Sequence, residues 1–233
     1  MYQHVLIKMD DIMKIVELSF QVDASDTKYS GSSGRHVFSF SRKEVPLKSE
    51  NIRYTGIIYD IALDSMAGTY IDLPGHISET DDGFDLASFP AARLYRLDAR
   101  AIHLDRVEGG VGAGELSAAC KTSLPGAKAL VINAYGKNHI KEHESRKVFL
   151  TNDAVKWVID SGIKLLVSDI YESHALHGVF YDLFSAGIAT VCNPVNLHLV
   201  GDSCTLSIFT LPLKGITQSP CRVIAEINER GNL

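Results

Sequence analysis

Short apolar runs rich in β-branched residues recur along nearly the whole chain, and they restrict the fold more than any other feature. Residues 14–22 alternate in strand fashion, and 52–63 are dense in Ile and Tyr. Similar runs follow at 97–104, 129–134, 164–168, 188–192, 205–211 and 222–227. Helical periodicity is sparser. Thr151 or Asn152 offers a side-chain oxygen to cap a helix whose apolar face is Ala154, Val155, Trp157 and Val158, and Gly162 offers a left-handed stop. A second short helix is expected after Gly114, through Leu116 and Ala119, and a third over 174–186. The pattern predicts a strand-dominated α/β chain.

No fixed-period repeat, low-complexity tract or linker interrupts this pattern, so residues 1–233 read as one domain. At 45% apolar and 22% charged residues, a chain this long can bury a full core without staples. A net charge of −5 disfavours nucleic acid and anionic membranes, whose phosphates call for surplus Lys and Arg. The least charged region, 183–201, still carries Ser185, Asn193, Pro194, Asn196 and His198, so no segment is expected to span a bilayer. The charge within MDDIMKIVEL predicts no signal peptide. Cys120, Cys192, Cys204 and Cys221 include no CxxC pair, which suits reduced thiols and a cytoplasmic location.

One segment suits neither a regular strand nor a helix: Gly68-Thr69-Tyr70-Ile71-Asp72-Leu73-Pro74-Gly75-His76. The glycines permit close backbone approach or positive φ, and Pro74 fixes φ while giving up a donor. A rigid, irregular piece of this kind can aim the Asp72 carboxylate and the His76 imidazole into one cleft. The plainer alternative is a surface turn in which Asp72 caps an amide and His76 is solvated.

From Met66 to His76 the sequence resembles the H-x-G-T-H-x-D-x-P-x-H motif of the kynurenine formamidase and cyclase family, which includes isatin hydrolases. Gly68, Thr69, Asp72, Pro74 and His76 agree, whereas Met66 and Tyr70 replace the first two histidines. The similarity continues in order along the chain: residues 14–19, 129–136, 153–169, 185–197 and the terminal Pro220-Cys221-Arg222. It implies the family's mixed, strand-rich α/β fold of the swivelling β/β/α type, with a central barrel-like sheet and outer helices. A homodimer or homotetramer acting on a small molecule is implied as well.

The resemblance also implies where the family's divalent metal, usually zinc or manganese, would be held. Carried over by position, its ligands become Met66, Tyr70, Asp72, Phe180 and Cys192, with His76 as ligand or base. Catalytic zinc needs about three protein donors, commonly His and carboxylate. Met is a poor donor for it and Phe is none. No cofactor is therefore expected, beyond residual zinc or manganese held by a fallback set of Asp72, His76 and Cys192. His174 and His177, at i, i+3 spacing, are a further metal candidate or simply a polar helix face.

The remaining groups suggest acid–base chemistry without a metal. An imidazole titrates near neutrality, so His76 is the general-base candidate. Asp72 would orient and stabilise it, Tyr70 would supply a phenol, and Met66, Phe180, Tyr181 and Cys192 would contact substrate. Cys192 is either a nucleophile or a small buried hydrophobe. Hydrolysis, ring opening or closure, and lyase-type proton transfer on a small cyclic or acylated substrate all remain open. So do a non-catalytic ligand-binding or subunit role and a metal-dependent amide hydrolase. Glu108-Gly-Gly-Val-Gly-Ala-Gly114 lacks the order of a phosphate loop and reads as a flexible turn. His139 and His143 read as surface residues, and Trp157 as a packing residue.

Overall fold

The computed structural model describes residues 13–23, 38–137, 147–170 and 178–228. Strands are numbered along the chain: β1 (Met13–Glu17), β2 (Phe38–Lys48), β3 (Arg53–Leu63), β4 (Tyr70–Asp72), β5 (Leu97–His103), β6 (Gly109–Val111) and β7 (Ala129–Asn133). Then come β8 (Val148–Leu150), β9 (Leu165–Ser168), β10 (Ala189–Cys192), β11 (Ser203–Phe209), β12 (Gln218–Pro220) and β13 (Arg222–Asn228). Helices α1 (Ala113–Ala119), α2 (Asn152–Asp160) and α3 (Val179–Ser185) complete the regular structure. None of the described helices is long and apolar enough to cross a membrane.

Nine strands form one curled, half-barrel sheet in the order β1-β13-β11-β5-β7-β9-β10-β4-β12. Its middle, β5-β7-β9-β10, is parallel, and the connections between these strands include α1, α2 and α3. Buried on both faces, these strands read as near-continuous apolar runs. Alternation still divides them. Ala129, Val131, Leu165, Val167 and Val191 join Ile71, Leu206 and Val223 in an inner core. Leu130, Ile132 and Leu166 face the other way, against α1 Leu116, α2 Val155 and Val158, and α3 Leu183. The strands flanking the parallel middle run antiparallel to their neighbours on both sides.

Several expectations need correction. Residues 109–111 are not a flexible turn but strand β6, paired parallel to β8. The start of α2 has no side-chain cap: the Thr151 hydroxyl instead reaches the Val111 carbonyl at 2.9 Å, tying the helix to β6. Helix α1 begins at Ala113, with Gly114 inside it. The first strand stops at Glu17, where the chain leaves β13. Tyr70–Asp72 is a buried strand within an otherwise irregular segment. The stop at Gly162 is as expected, with φ +79°.

The largest unforeseen element is β2, which joins the expected strand β3 in a ribbon. Its two strands pair with each other from Phe38↔Leu63 to Lys48↔Arg53, and neither pairs with the main sheet. Pro46 fits in β2 because a two-stranded ribbon has free edges.

Candidate acid–base site

Strand β4 lies between β10 and β12. The register sets Asp72 opposite Thr190 on one side and Gln218 on the other, and Tyr70 opposite Cys192 and Pro220. Directly opposed residues share a sheet face. Because Ile71 points into the inner core, Tyr70, Asp72, Thr190, Cys192 and Gln218 face the helix side.

The motif's Gly68 and Thr69 build the support for this strand. Gly68 has φ +67°, and a Cβ there would stand 2.6 Å from Val22 Cγ2. The Thr69 hydroxyl donates to the Asn193 carbonyl and accepts from the Phe20 amide, both at 2.8 Å. The Asn193 side chain donates to the Gly68 carbonyl at 2.7 Å. Together these bonds fix the end of β10 against the entry to β4.

His76 is delivered by a 3-10 turn, Pro74–His76, whose last amide donates to the Leu73 carbonyl at 2.9 Å. Gly75 is needed because a Cβ would sit 2.8 Å from Asp81 Oδ1 and 2.9 Å from Thr217 Cγ2. The imidazole is exposed and stands edge-on to Phe184 of α3, with ring centroids 6.5 Å apart.

Asp72 is buried, at 4% exposure, and both of its oxygens are engaged. Gln218 Nε2 donates to Oδ1 at 2.7 Å, and the Cys192 thiol donates to Oδ2 at 3.5 Å. The Asp72 carboxylate, an acceptor, draws the amide nitrogen inward, and the Ser65 hydroxyl donates to Gln218 Oε1 at 2.5 Å. That nitrogen also lies 3.4 Å from His76 Nε2. An amide NH2 only donates, so a neutral ring accepts this contact through Nε2. Burial pushes the Asp72 carboxyl above its ordinary range, and the His76 charge and the Gln218 and Cys192 hydrogen bonds only partly offset it.

The sequence candidates separate accordingly. Asp72, His76 and Cys192 come together, but Asp72 does not orient the imidazole directly, because Gln218 intervenes. Tyr70 is buried two residues along the same strand face. Phe180 and Cys192 line a cavity of about 20 Å³ with Leu166, Ser168, Val179 and Thr190, room for about one water. Tyr181, on the same helix, is 48% exposed and outside that cavity, and Met66 lies half-buried in the turn before β4. His139, His143, His174 and His177 lie outside the described residues. Burial and the Asp72 charge push the Cys221 thiol up, and burial together with Asp98 takes Cys204 to about 12 despite Arg100.

The donor set does not fit a divalent metal. Among the described residues, no three His, Cys, Asp or Glu side chains are grouped to hold an ion. In the fallback trio of Asp72, His76 and Cys192, the Asp72 oxygens are engaged by the Gln218 amide and the Cys192 thiol. Gln218, Ser65 and Thr190 had no signature in the sequence. The nearest signal was Pro220-Cys221-Arg222, just beyond Gln218, where Arg222 Nε donates to Glu17 Oε2 at 2.7 Å.

Known proteins of similar structure bear on this arrangement. Isatin hydrolase A from Labrenzia aggregata, solved bound to benzyl benzoate, superimposes with a TM-score of 0.72 at 16% identity, over 93% of this chain and 94% of that one. A protein described as a potential metal-dependent hydrolase with cyclase activity gives 0.67 at 18% identity, over 93% and 99%. Isatin hydrolase A from Ralstonia solanacearum gives 0.66 at 16% identity, over 93% and 92%. These likenesses establish the fold. No curated protein matches the sequence significantly. A model of the family described as "Putative cyclase" matches residues 16–173, most of the chain, and the chain accordingly belongs to the cyclase family.

Proposed function

We propose that this chain is a hydrolase-like enzyme that acts on a small cyclic or acylated substrate and moves protons with side chains. The observation that carries the reading is the buried Asp72 joined through Gln218 to the exposed His76 imidazole. In a hydrolytic turnover, the His76 Nε2 lone pair turns from the Gln218 N–H to water and takes a proton as the water oxygen bonds to the carbonyl carbon. The C–N or C–O bond then breaks, and the proton passes to the leaving nitrogen or oxygen. Asp72 stabilises the imidazolium across Gln218, and Tyr70 supplies a phenol beside the pocket. Water attacking without a metal needs an electrophilic carbonyl. Activated lactams such as isatin, named in the relatives, are therefore the first substrates to test, followed by lactones and N-acyl amides. Ring closure and lyase-type proton transfer use the same base.

The test is turnover of that panel by the parent and by His76→Ala. Loss of turnover with ligand affinity kept supports catalysis by the imidazole. Failure of the parent on every substrate favours the second reading, a non-catalytic ligand-binding member.

The assembly we propose is a homodimer joined through the β2–β3 ribbon. Phe40, Leu47, Tyr54, Ile57, Tyr59 and Ile61 are all 41–63% exposed, and a ribbon of two strands is marginal alone in water. Four of the ribbon's charges pair internally, as Arg42–Glu44 and Lys43–Asp60. We place the protein in the cytoplasm on the strength of its unpaired cysteines.

A further inference from the structure

A carboxylate and an imidazole that face the same point in space need something electropositive between them. In a metal site that is the cation. Here the point holds the nitrogen of Gln218, 2.7 Å from Asp72 Oδ1 and 3.4 Å from His76 Nε2. Three features keep it there. The Gln218↔Asp72 register makes the two residues cross-strand neighbours, so the side chain needs no reach. The Asp72 carboxylate, which only accepts, disfavours the flipped amide, and the Ser65 hydroxyl donates to Oε1 at 2.5 Å. Burial, at 7% exposure, removes water as a competing partner.

We propose that the Gln218 amide is a built-in substitute for a cation, and that it closes this site to divalent metals. The amide's two N–H groups meet the two lone pairs that an ion would otherwise bridge. A neutral dipole does so more weakly than an ion, but it is covalently tethered and carries no dehydration cost. An arriving metal would have to break the Asp72 and Ser65 bonds and strand a buried amide, which is unfavourable by more than the two remaining donors recover. The inference concerns metal occupancy and does not require that the protein be catalytic.

It also predicts a route back. Gln218→Glu places a second carboxylate beside Asp72, and two adjacent buried carboxylates cannot both stay ionised without a cation. Asp72, Glu at 218 and His76 would then supply three hard donors. The experiment is equilibrium dialysis of the parent, Gln218→Glu, Gln218→Ala and Asp72→Asn/Gln218→Glu against Mn²⁺ and Zn²⁺, with metal content measured and folding checked by circular dichroism. Gln218→Glu should take up about one equivalent and bind about 100-fold tighter than the parent, with a metal-dependent rise in Tm. The double variant should lose this gain, and Gln218→Ala, which frees the Asp72 and His76 lone pairs without adding a donor, should bind more metal than the parent and less than Gln218→Glu. A parent that holds a stoichiometric ion lost on Asp72→Asn would overturn the proposal. So would a folded Gln218→Glu that gains no affinity. Activity is not the readout, so this result stands apart from the outcome for His76.

Discussion

Gln218 and Asp72 face each other across β12 and β4, and the amide of the first donates to the carboxylate of the second at 2.7 Å. The chain separates them by 146 residues, so only the closed sheet brings them together.

Asp72 should make stability fall as pH rises. Its carboxyl is held above the ordinary range mainly by burial, so the native state binds the proton more readily than the unfolded chain. The stabilisation is complete below the unfolded value of about 4 and is lost as pH climbs through the raised native value. Asp72→Asn removes the effect. Its Tm should exceed that of the parent at pH 7, with the difference shrinking toward pH 4, as read by thermal melts across that range.

His76→Ala should lower kcat by about 10²–10⁴-fold on any substrate the parent turns over, with KM little changed. Because the ring is exposed, Tm should move within the scatter of ordinary surface substitutions. A large drop in Tm would instead make His76 a structural residue.

Cys192 supplies a hydrogen to Asp72 Oδ2, and a serine can supply one too. Cys192→Ser should therefore keep turnover within about an order of magnitude, whereas Cys192→Val leaves the oxygen without its donor, at a cost of about 1–3 kcal/mol. If the serine variant loses activity altogether while remaining folded, the sulfur is a nucleophile.

Thr69→Val should unfold more easily, by about 2 kcal/mol, since it orphans the Phe20 amide and removes the bond to the Asn193 carbonyl. For a chain of this size that corresponds to a fall in Tm of about 4–8 °C. Denaturant titration measures it directly.

The ribbon predicts its own disruption. Ile57→Lys/Ile61→Lys puts two charges on one face of β3. Light scattering should show the parent as a dimer and this variant as a monomer with an unchanged melting profile for the main sheet. A monomeric parent would remove the ribbon's proposed role.

The reading of the sequence succeeded where apolar content alone identifies an element. Strands β5, β7, β9 and β10 are buried on both faces, and their aliphatic runs mark them within a residue or two. Strand β2 was missed because FSFSRKEVPLK is exposed on both faces and mixes charge, apolar residues and a proline without alternation. Strands β4 and β12, three residues each, exist only through their pairing, which no local pattern reports. The same limit applied at the site. The Gly, Pro and His of the motif announced Asp72 and His76, but a lone glutamine announces nothing until the register places it. The thiol of Cys192 was weighed as nucleophile or filler, and its contact with Asp72 Oδ2 adds a hydrogen-bonding role.

The position of β4 between β10 and β12 dictates an order of events during synthesis. When Asp72 leaves the ribosome, neither strand that will flank it has been made, and the second arrives only at Gln218. Until then a carboxylate destined for burial stays hydrated. A chain shortened before residue 218 would keep β5, β7, β9, β10 and the residues that line the cavity yet lack the amide that engages Asp72, and the appearance of activity would time the last step of folding.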